Sequence, residues 1–272
     1  MRLPEPSATA WVDGRPVPLA EAAVEIADPA FQSGLGLFET IAVRGGVLYE
    51  LDAHLERLGQ AGRRIDVPLP AGLAEGAREM ARRERNPCAW LKIIATRSRC
   101  LIFTGAMDPA EEGRPVTAVL LRGRRNPHDP LSGLKTLNYA ASVLGIEEAR
   151  RRGADEGIWL NTRGHLTEAC SSNLFVVRRR KLFTAAVRDG ILPGVVRDLT
   201  LLAARELRII VHEGKVRLRR LETADEVFLT SSLRGLRPVV RYEGAPVGRG
   251  QPGPLTLHLT EAVAARRVPS DG

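Results

Sequence analysis

Leu134-Lys135-Thr136-Leu137-Asn138-Tyr139 contains one of only four lysines among the 40 basic side chains of this 272-residue chain. Arginine keeps its proton, whereas a desolvated lysine can shed one and act as a nucleophile or a base. Nearly every positive position here is arginine, so Lys135 is the first residue to weigh as a covalent catalyst. A surface lysine at a helix start looks the same in isolation, and its surroundings must decide.

Just upstream, Arg124-Arg125-Asn126-Pro127-His128-Asp129-Pro130-Leu131-Ser132-Gly133 carries two prolines and a glycine, which continue neither a helix nor a central strand. This segment reads as a linker at 124–133, between an N-terminal domain at 1–123 and a C-terminal domain at 134–272.

Before the linker, two hairpins turn at Asp13-Gly14 and at Arg44-Gly45-Gly46, the second between strands at 38–43 and 47–51. Helical apolar spacing covers 52–64 and 73–83, strands follow at 91–95 and 116–121, and the glycine, proline and charge of 104–115 read as loop. Beyond the linker come a helix at 138–152, a strand at 157–160, a turn at 161–164, and strands at 173–177 and 182–185. A helix then opens at Leu192-Pro193-Gly194, and strands at 209–212, 226–230 and 238–241 precede a last helix at 254–266. Helices and strands mix without strict alternation, so the expected class is α+β rather than a doubly wound parallel sheet.

With 44% hydrophobic residues the chain has ample material for real cores. Met1-Arg2-Leu3-Pro4-Glu5-Pro6 lacks the basic-then-apolar pattern of a leader, and no stretch has the apolar length that spans a bilayer. A cytoplasmic location without a membrane partner is the expectation. Cys88, Cys100 and Cys170 are odd in number and form no CxxC pair, so neither a disulfide framework nor a metal site is expected. The net charge of +8 raises nucleic acid as a partner. However, Arg178-Arg179-Arg180-Lys181 and Arg217-Leu218-Arg219-Arg220 are short and carry no interleaved aromatics for base stacking. A solvated basic surface is the better reading, and a nucleic-acid-binding protein on a degenerate enzyme fold is the remote alternative.

Four features of the second half suit one cofactor, pyridoxal 5'-phosphate. Lys135 offers the amine that forms its Schiff base. Glu168, in Leu166-Thr167-Glu168-Ala169-Cys170-Ser171-Ser172-Asn173 between two strands, offers a carboxylate to hold the proton on a pyridine nitrogen. Leu192-Pro193-Gly194-Val195-Val196 starts a helix whose first N–H groups can bind a phosphate dianion. Thr230-Ser231-Ser232, at a strand end, adds hydroxyl donors.

In order and wording these blocks resemble the class IV, fold-type IV pyridoxal-phosphate enzymes: branched-chain and D-amino-acid aminotransferases and aminodeoxychorismate lyases. Further matching blocks are Gly34-Leu35-Gly36-Leu37-Phe38-Glu39-Thr40, His54-Leu55-Glu56-Arg57-Leu58 and Gly153-Ala154-Asp155-Glu156. The resemblance implies a two-domain enzyme with the cofactor in the interdomain cleft, assembled as a homodimer. It implies Lys135 as the aldimine lysine, Glu168 as the ring-nitrogen partner and Arg57 as the phosphate arginine. Val195 and Val196 correspond to the phosphate-binding amides, Ser232 to a hydroxyl on the phosphate's other side, and Phe38 to an aromatic of the substrate pocket.

The branch stays open between an aminotransferase acting on a small amino acid and a 2-oxo acid, which is preferred, and the lyase that releases pyruvate and 4-aminobenzoate. Arg125-Asn126-Pro127-His128 and Glu168-Ala169-Cys170 look lyase-like, whereas Thr96-Arg97-Ser98-Arg99-Cys100-Leu101 lacks that branch's glycine-rich run and Ser231 stands where it commonly has Asn. A guanidinium fork suits a substrate carboxylate, which makes Arg97, Arg99, Arg234 and Arg237 the candidates.

Overall fold

The computed structural model describes residues 6–270, so Met1–Glu5, read above for a leader, lies outside the described residues. The chain forms two compact units, one of Met1–Pro109, Leu134–Tyr139 and Arg267–Gly272, the other of Ala110–Gly133 and Ala140–Arg266.

The first unit contains β1 (Pro6–Val12), β2 (Arg15–Pro18), α1 (Pro29–Ser33), β3 (Leu37–Arg44), β4 (Val47–Leu48), α2 (Leu51–Ile65), α3 (Leu73–Arg83), β5 (Cys88–Ala95) and β6 (Cys100–Ala106). Its sheet is antiparallel throughout, in the order β2-β1-β6-β5-β3-β4. α2 buries Leu51, His54, Leu58, Ala61 and Gly62, and α3 buries Leu73, Gly76, Ala77, Met80 and Ala81, each at the spacing of one helical face. Those faces share a core with Leu37, Ile41 and Val43 of β3 and Leu91 and Ile93 of β5.

The second unit contains β7 (Val116–Arg125), α4 (Ala140–Arg151), β8 (Glu156–Asn161), β9 (His165–Ala169), β10 (Asn173–Arg178), β11 (Lys181–Thr184), α5 (Val195–Glu206), β12 (Val211–Glu213), β13 (Val216–Arg217), α6 (Leu218–Glu222), β14 (Glu226–Ser231), β15 (Gly235–Tyr242), β16 (Ala245–Pro246) and α7 (Pro254–Ala264). Its sheet runs β12-β11-β10-β14-β15-β7-β8-β9-β13, and a further β10–β9 pairing closes β9, β10, β14, β15, β7 and β8 into a ring. Closure removes the sheet edges that would otherwise be left unpaired. β7 pairs in parallel with both β8 and β15, while most other neighbours are antiparallel. α5 and α7 pack over Phe175 and Phe228, whose stacked rings lie 5.0 Å apart.

The expected α+β class agrees with this architecture, and two local readings are corrected. Residues 104–106, read as loop, belong to β6, a central strand between β1 and β5. Gly105 lies under the Trp90 ring, where a Cβ would come within 2.4 Å of it. Glu168, read as lying between strands, is inside β9 and pairs with Asn173 of β10. Along the chain the compact units meet at the end of the 124–133 segment, between Gly133 and Leu134, and also between Pro109 and Ala110, Tyr139 and Ala140, and Arg266 and Arg267. β7 runs through Arg125 and its parallel pairing ties it to the second unit, while Leu134–Tyr139 pairs with β3 of the first.

Candidate active site

In the first unit, β3 sorts its side chains by alternation. Leu37, Glu39 and Ile41 point to one face and Phe38 and Thr40 to the other, the first set facing the core that α2 and α3 cover. Glu39 is a carboxylate set among apolar core residues, only 1% exposed. It is satisfied from α2: His54 Nδ1 donates to Oε2 at 2.7 Å, Arg57 Nε to Oε1 at 2.8 Å and Arg57 Nη2 to Oε2 at 2.6 Å. Burial alone would raise the Glu39 pKa, but the Arg57 and His54 charges and hydrogen bonds outweigh it and hold the group down to about 2. Burial pushes the His54 pKa down, and Arg57 and Lys135 add to the shift against the pull of Glu39. A neutral His54 and an ionic Glu39–Arg57 pair follow, with the arginine's plane fixed by a bidentate partner.

Lys135 is placed by backbone pairing rather than by a helix. Phe38 N donates to Lys135 O at 2.9 Å, Leu137 N donates to Gly36 O at 2.8 Å, and Leu37 bridges Thr136. This approach needs Gly36, because a Cβ there would come within 2.6 Å of Leu137 Cδ1 and 3.1 Å of the Ala95 carbonyl. The half-buried Lys135 places its Nζ 4.4 Å from the centroid of the Phe38 ring, and Tyr139 meets that ring edge-on at 5.3 Å. Lys92 of β5, cross-strand from Thr40, places its own Nζ 4.8 Å from the same centroid. Partial burial lowers the Lys92 pKa.

In the second unit, Glu168 is 8% exposed and is met by donors from three residues. Asn173 Nδ2 reaches Oε2 at 3.2 Å, Leu192 N reaches Oε2 at 3.0 Å, and Arg125 Nη1 lies 3.4 Å from Oε1. Asn173 also donates to the Leu192 carbonyl at 2.9 Å, which ties β10 to the turn entering α5. Gly194 caps that helix, and a Cβ on it would lie 2.0 Å from Asn173 Oδ1. The first-turn N–H groups of Val195 and Val196 have no acceptor within the helix. Opposite Asn173 in the β10–β14 ladder, the hydroxyl of Thr230 is buried with no hydrogen-bond partner among the described residues, as is that of Ser172. A phosphate at this helix start fits such an arrangement: amide donors, a cradle that a Cβ would fill, and a buried hydroxyl lacking a partner. Ser232, also half-buried, follows just after β14.

Thus Phe38, Arg57 and Lys135 belong to the first unit, and Glu168, Val195, Val196 and Ser232 to the second. The arginines considered for a substrate carboxylate already have partners. Arg97 is exposed and donates to the Asp66 carbonyl at 3.2 Å, and Arg99 lies 3.4 Å from Asp13. Arg234 lies 3.6 Å from Glu111, and the buried Arg237 donates to the Arg114 carbonyl at 3.2 Å. Sequence reasoning missed Lys92, whose available sign was a cation in the strand pattern of β5. It also left Glu39 and His54 unassigned, although both lie in blocks quoted above.

The model of the amino-transferase class IV family matches residues 36–242. A candidate branched-chain-amino-acid aminotransferase of Methanocaldococcus jannaschii is 30% identical over 272 residues, covering 92% of this chain and 93% of its own. The crystal structure of the branched-chain aminotransferase of Escherichia coli superposes with a TM-score of 0.88 at 26% identity, covering 94% of this chain and 93% of that one. A candidate 4-amino-4-deoxychorismate lyase from Legionella pneumophila superposes with a TM-score of 0.83 at 27% identity, covering 91% and 96%. With more than two thirds of its length matched by the family model, the chain belongs to the class IV aminotransferases.

Proposed function

We propose that this enzyme moves an amino group between a small amino acid and a 2-oxo acid, with Lys135 as the residue that binds pyridoxal 5'-phosphate covalently. The observation that carries the reading is the placement of the Lys135 amine against the face of Phe38, on a segment pinned to β3 by two backbone hydrogen bonds. When bound, the cofactor supplies an electron sink for the pair left on the substrate carbon as its proton departs.

The chain's own residues supply the rest. The Lys135 amine would serve as the base that takes the proton from the substrate Cα and gives it back on the return step. Glu168 would hold a proton at the ring nitrogen, while Arg57, the amides of Val195 and Val196, and the hydroxyls of Thr230 and Ser232 would hold the phosphate. Phe38 and Tyr139 form an aromatic wall beside the Lys135 amine. Lys92, a partly desolvated cation on that wall, supplies the charge for a substrate carboxylate in place of the four arginines. The homodimer and the cytoplasmic location expected from the sequence are part of the proposal, and light scattering of the purified protein tests the first.

The test of the reaction is incubation with L- and D-amino acids and 2-oxoglutarate, and separately with aminodeoxychorismate. Conversion of a small amino acid supports the proposal. Formation of 4-aminobenzoate with no conversion in the amino-acid panel overturns it in favour of the lyase.

A further inference from the structure

Arg125, the last residue of β7, is more constrained than a strand-end arginine needs to be. Its Nη2 donates to Ser142 Oγ of α4 at 3.1 Å, and its guanidinium carbon lies 5.4 Å from the centroid of the Trp159 ring. Its Nε is buried with no acceptor among the described residues, and its Nη1 lies 3.4 Å from Glu168 Oε1. Three elements of one unit, β7, α4 and β8, therefore hold this cation against a single carboxylate oxygen.

The two oxygens of Glu168 are thereby made unequal. Oε2 accepts from Asn173 Nδ2 and Leu192 N, and the Arg125 guanidinium lies beside Oε1. None of these three groups can accept a hydrogen bond. An ionised carboxylate satisfies all of them, whereas a protonated carboxyl would turn an O–H toward a donor. If a protonated ring nitrogen faces this carboxylate, the proton has two places to rest. It stays on the nitrogen when the carboxylate is the better-solvated anion, and it passes to the oxygen when the carboxylate loses its donors.

We propose that Arg125 is a positioning residue that, through Glu168, keeps the proton on the cofactor's ring nitrogen. Ser142 and Trp159 fix the guanidinium 3.4 Å from Oε1, where its charge favours the ionised carboxylate that a protonated ring nitrogen would need. This proposal rests on the cofactor reading above, and it adds a residue whose effect is electronic rather than adhesive.

The experiment loads the enzyme with pyridoxal phosphate labelled with 15N in the ring and reads the ring nitrogen by NMR. In the unaltered protein the resonance lies at the protonated position. In Arg125→Gln it moves toward the unprotonated position, and Arg125→Lys, which keeps the charge, recovers most of the difference. kcat of Arg125→Gln falls by roughly tenfold, the size seen when a hydrogen-bonded orienting partner is removed, while KM for the amino acid changes little. If Arg125→Gln does not fold, Ser142→Ala carries the test: loosening the guanidinium moves the resonance in the same direction by a smaller amount. An unmoved resonance in a variant that still carries the cofactor overturns the proposal. Failure of the unaltered protein to bind the cofactor at all sinks the functional reading instead, so the two failures are distinguishable.

Discussion

Arg57 and Glu39 meet through two parallel hydrogen bonds, Nε to Oε1 at 2.8 Å and Nη2 to Oε2 at 2.6 Å, beside the buried His54 and the apolar core of the first unit. A bidentate pair of this kind is costly to break from one side, because the charge left behind is buried without its partner. Glu39→Gln should lower the unfolding free energy by about 3 kcal/mol, read by urea denaturation, and should weaken cofactor retention as Arg57 loses its orientation. A variant within experimental scatter of the parent protein would show that the pair does not organise α2 on β3.

The same pair predicts how the fold responds to acid. Glu39 is held down to about 2 from an ordinary 4.5, so its contribution is complete above about 4.5 and is lost as pH falls toward 2. His54 is lowered too, hence neutral in the fold, and its protonation in the unfolded chain begins to destabilise the fold below the ordinary histidine range. Both groups act in one direction. Melting temperature should fall in acid in two stages, and Glu39→Gln should remove the lower one.

Glu156 predicts the opposite sign. It is fully buried and burial raises its pKa, although Gly157 N at 3.3 Å and Ser171 Oγ at 3.2 Å donate to it. A raised acid is favoured when protonated, so stability declines as pH climbs above its ordinary value. Glu156→Gln should therefore melt higher than the parent at pH 8, with the gap narrowing at pH 5. A gap that widens in acid would mean that Glu156 is ionised in the fold.

Lys92 carries a kinetic prediction. Replacing it with Met keeps the volume and removes the charge near Phe38. KM for both the amino acid and the oxo acid should rise by roughly tenfold, about 1.4 kcal/mol, with cofactor attachment unchanged. An unchanged KM with lost cofactor would assign Lys92 to the cofactor instead.

Gly194 tests the phosphate site. A Cβ at 2.0 Å from Asn173 Oδ1 must displace the side chain that joins Glu168 to the Leu192 turn. Gly194→Ala should release the cofactor on dialysis under conditions where the parent retains it, with little change in the far-ultraviolet circular dichroism.

What the sequence disclosed follows the physics of each element. α2 and α3 were legible because one apolar face meets a sheet and the other meets solvent. β6 was not, because Thr104-Gly105-Ala106 owes its strand to the Trp90 ring above it and to its two neighbouring strands. β9 was hidden because Thr167 and Glu168 are buried polar residues with partners on β7, β8, β10 and the turn before α5. Lys135, Arg57 and Glu168 stood out by residue type within quotable blocks. Lys92 could be recognised only once β5 was set beside β3, since its neighbour Phe38 is remote in sequence.

The central claim is one covalent bond, and the chain's scarcity of lysine makes it easy to test. Enzyme loaded with pyridoxal phosphate, reduced with borohydride and digested should carry the phosphopyridoxyl mass on the peptide containing Lys135. The alternatives are few: Lys92 beside Phe38, and Lys181 and Lys215 on the surface. Label confined to Lys135 is the predicted result, and label on any of the other three, or none at all, contradicts the account.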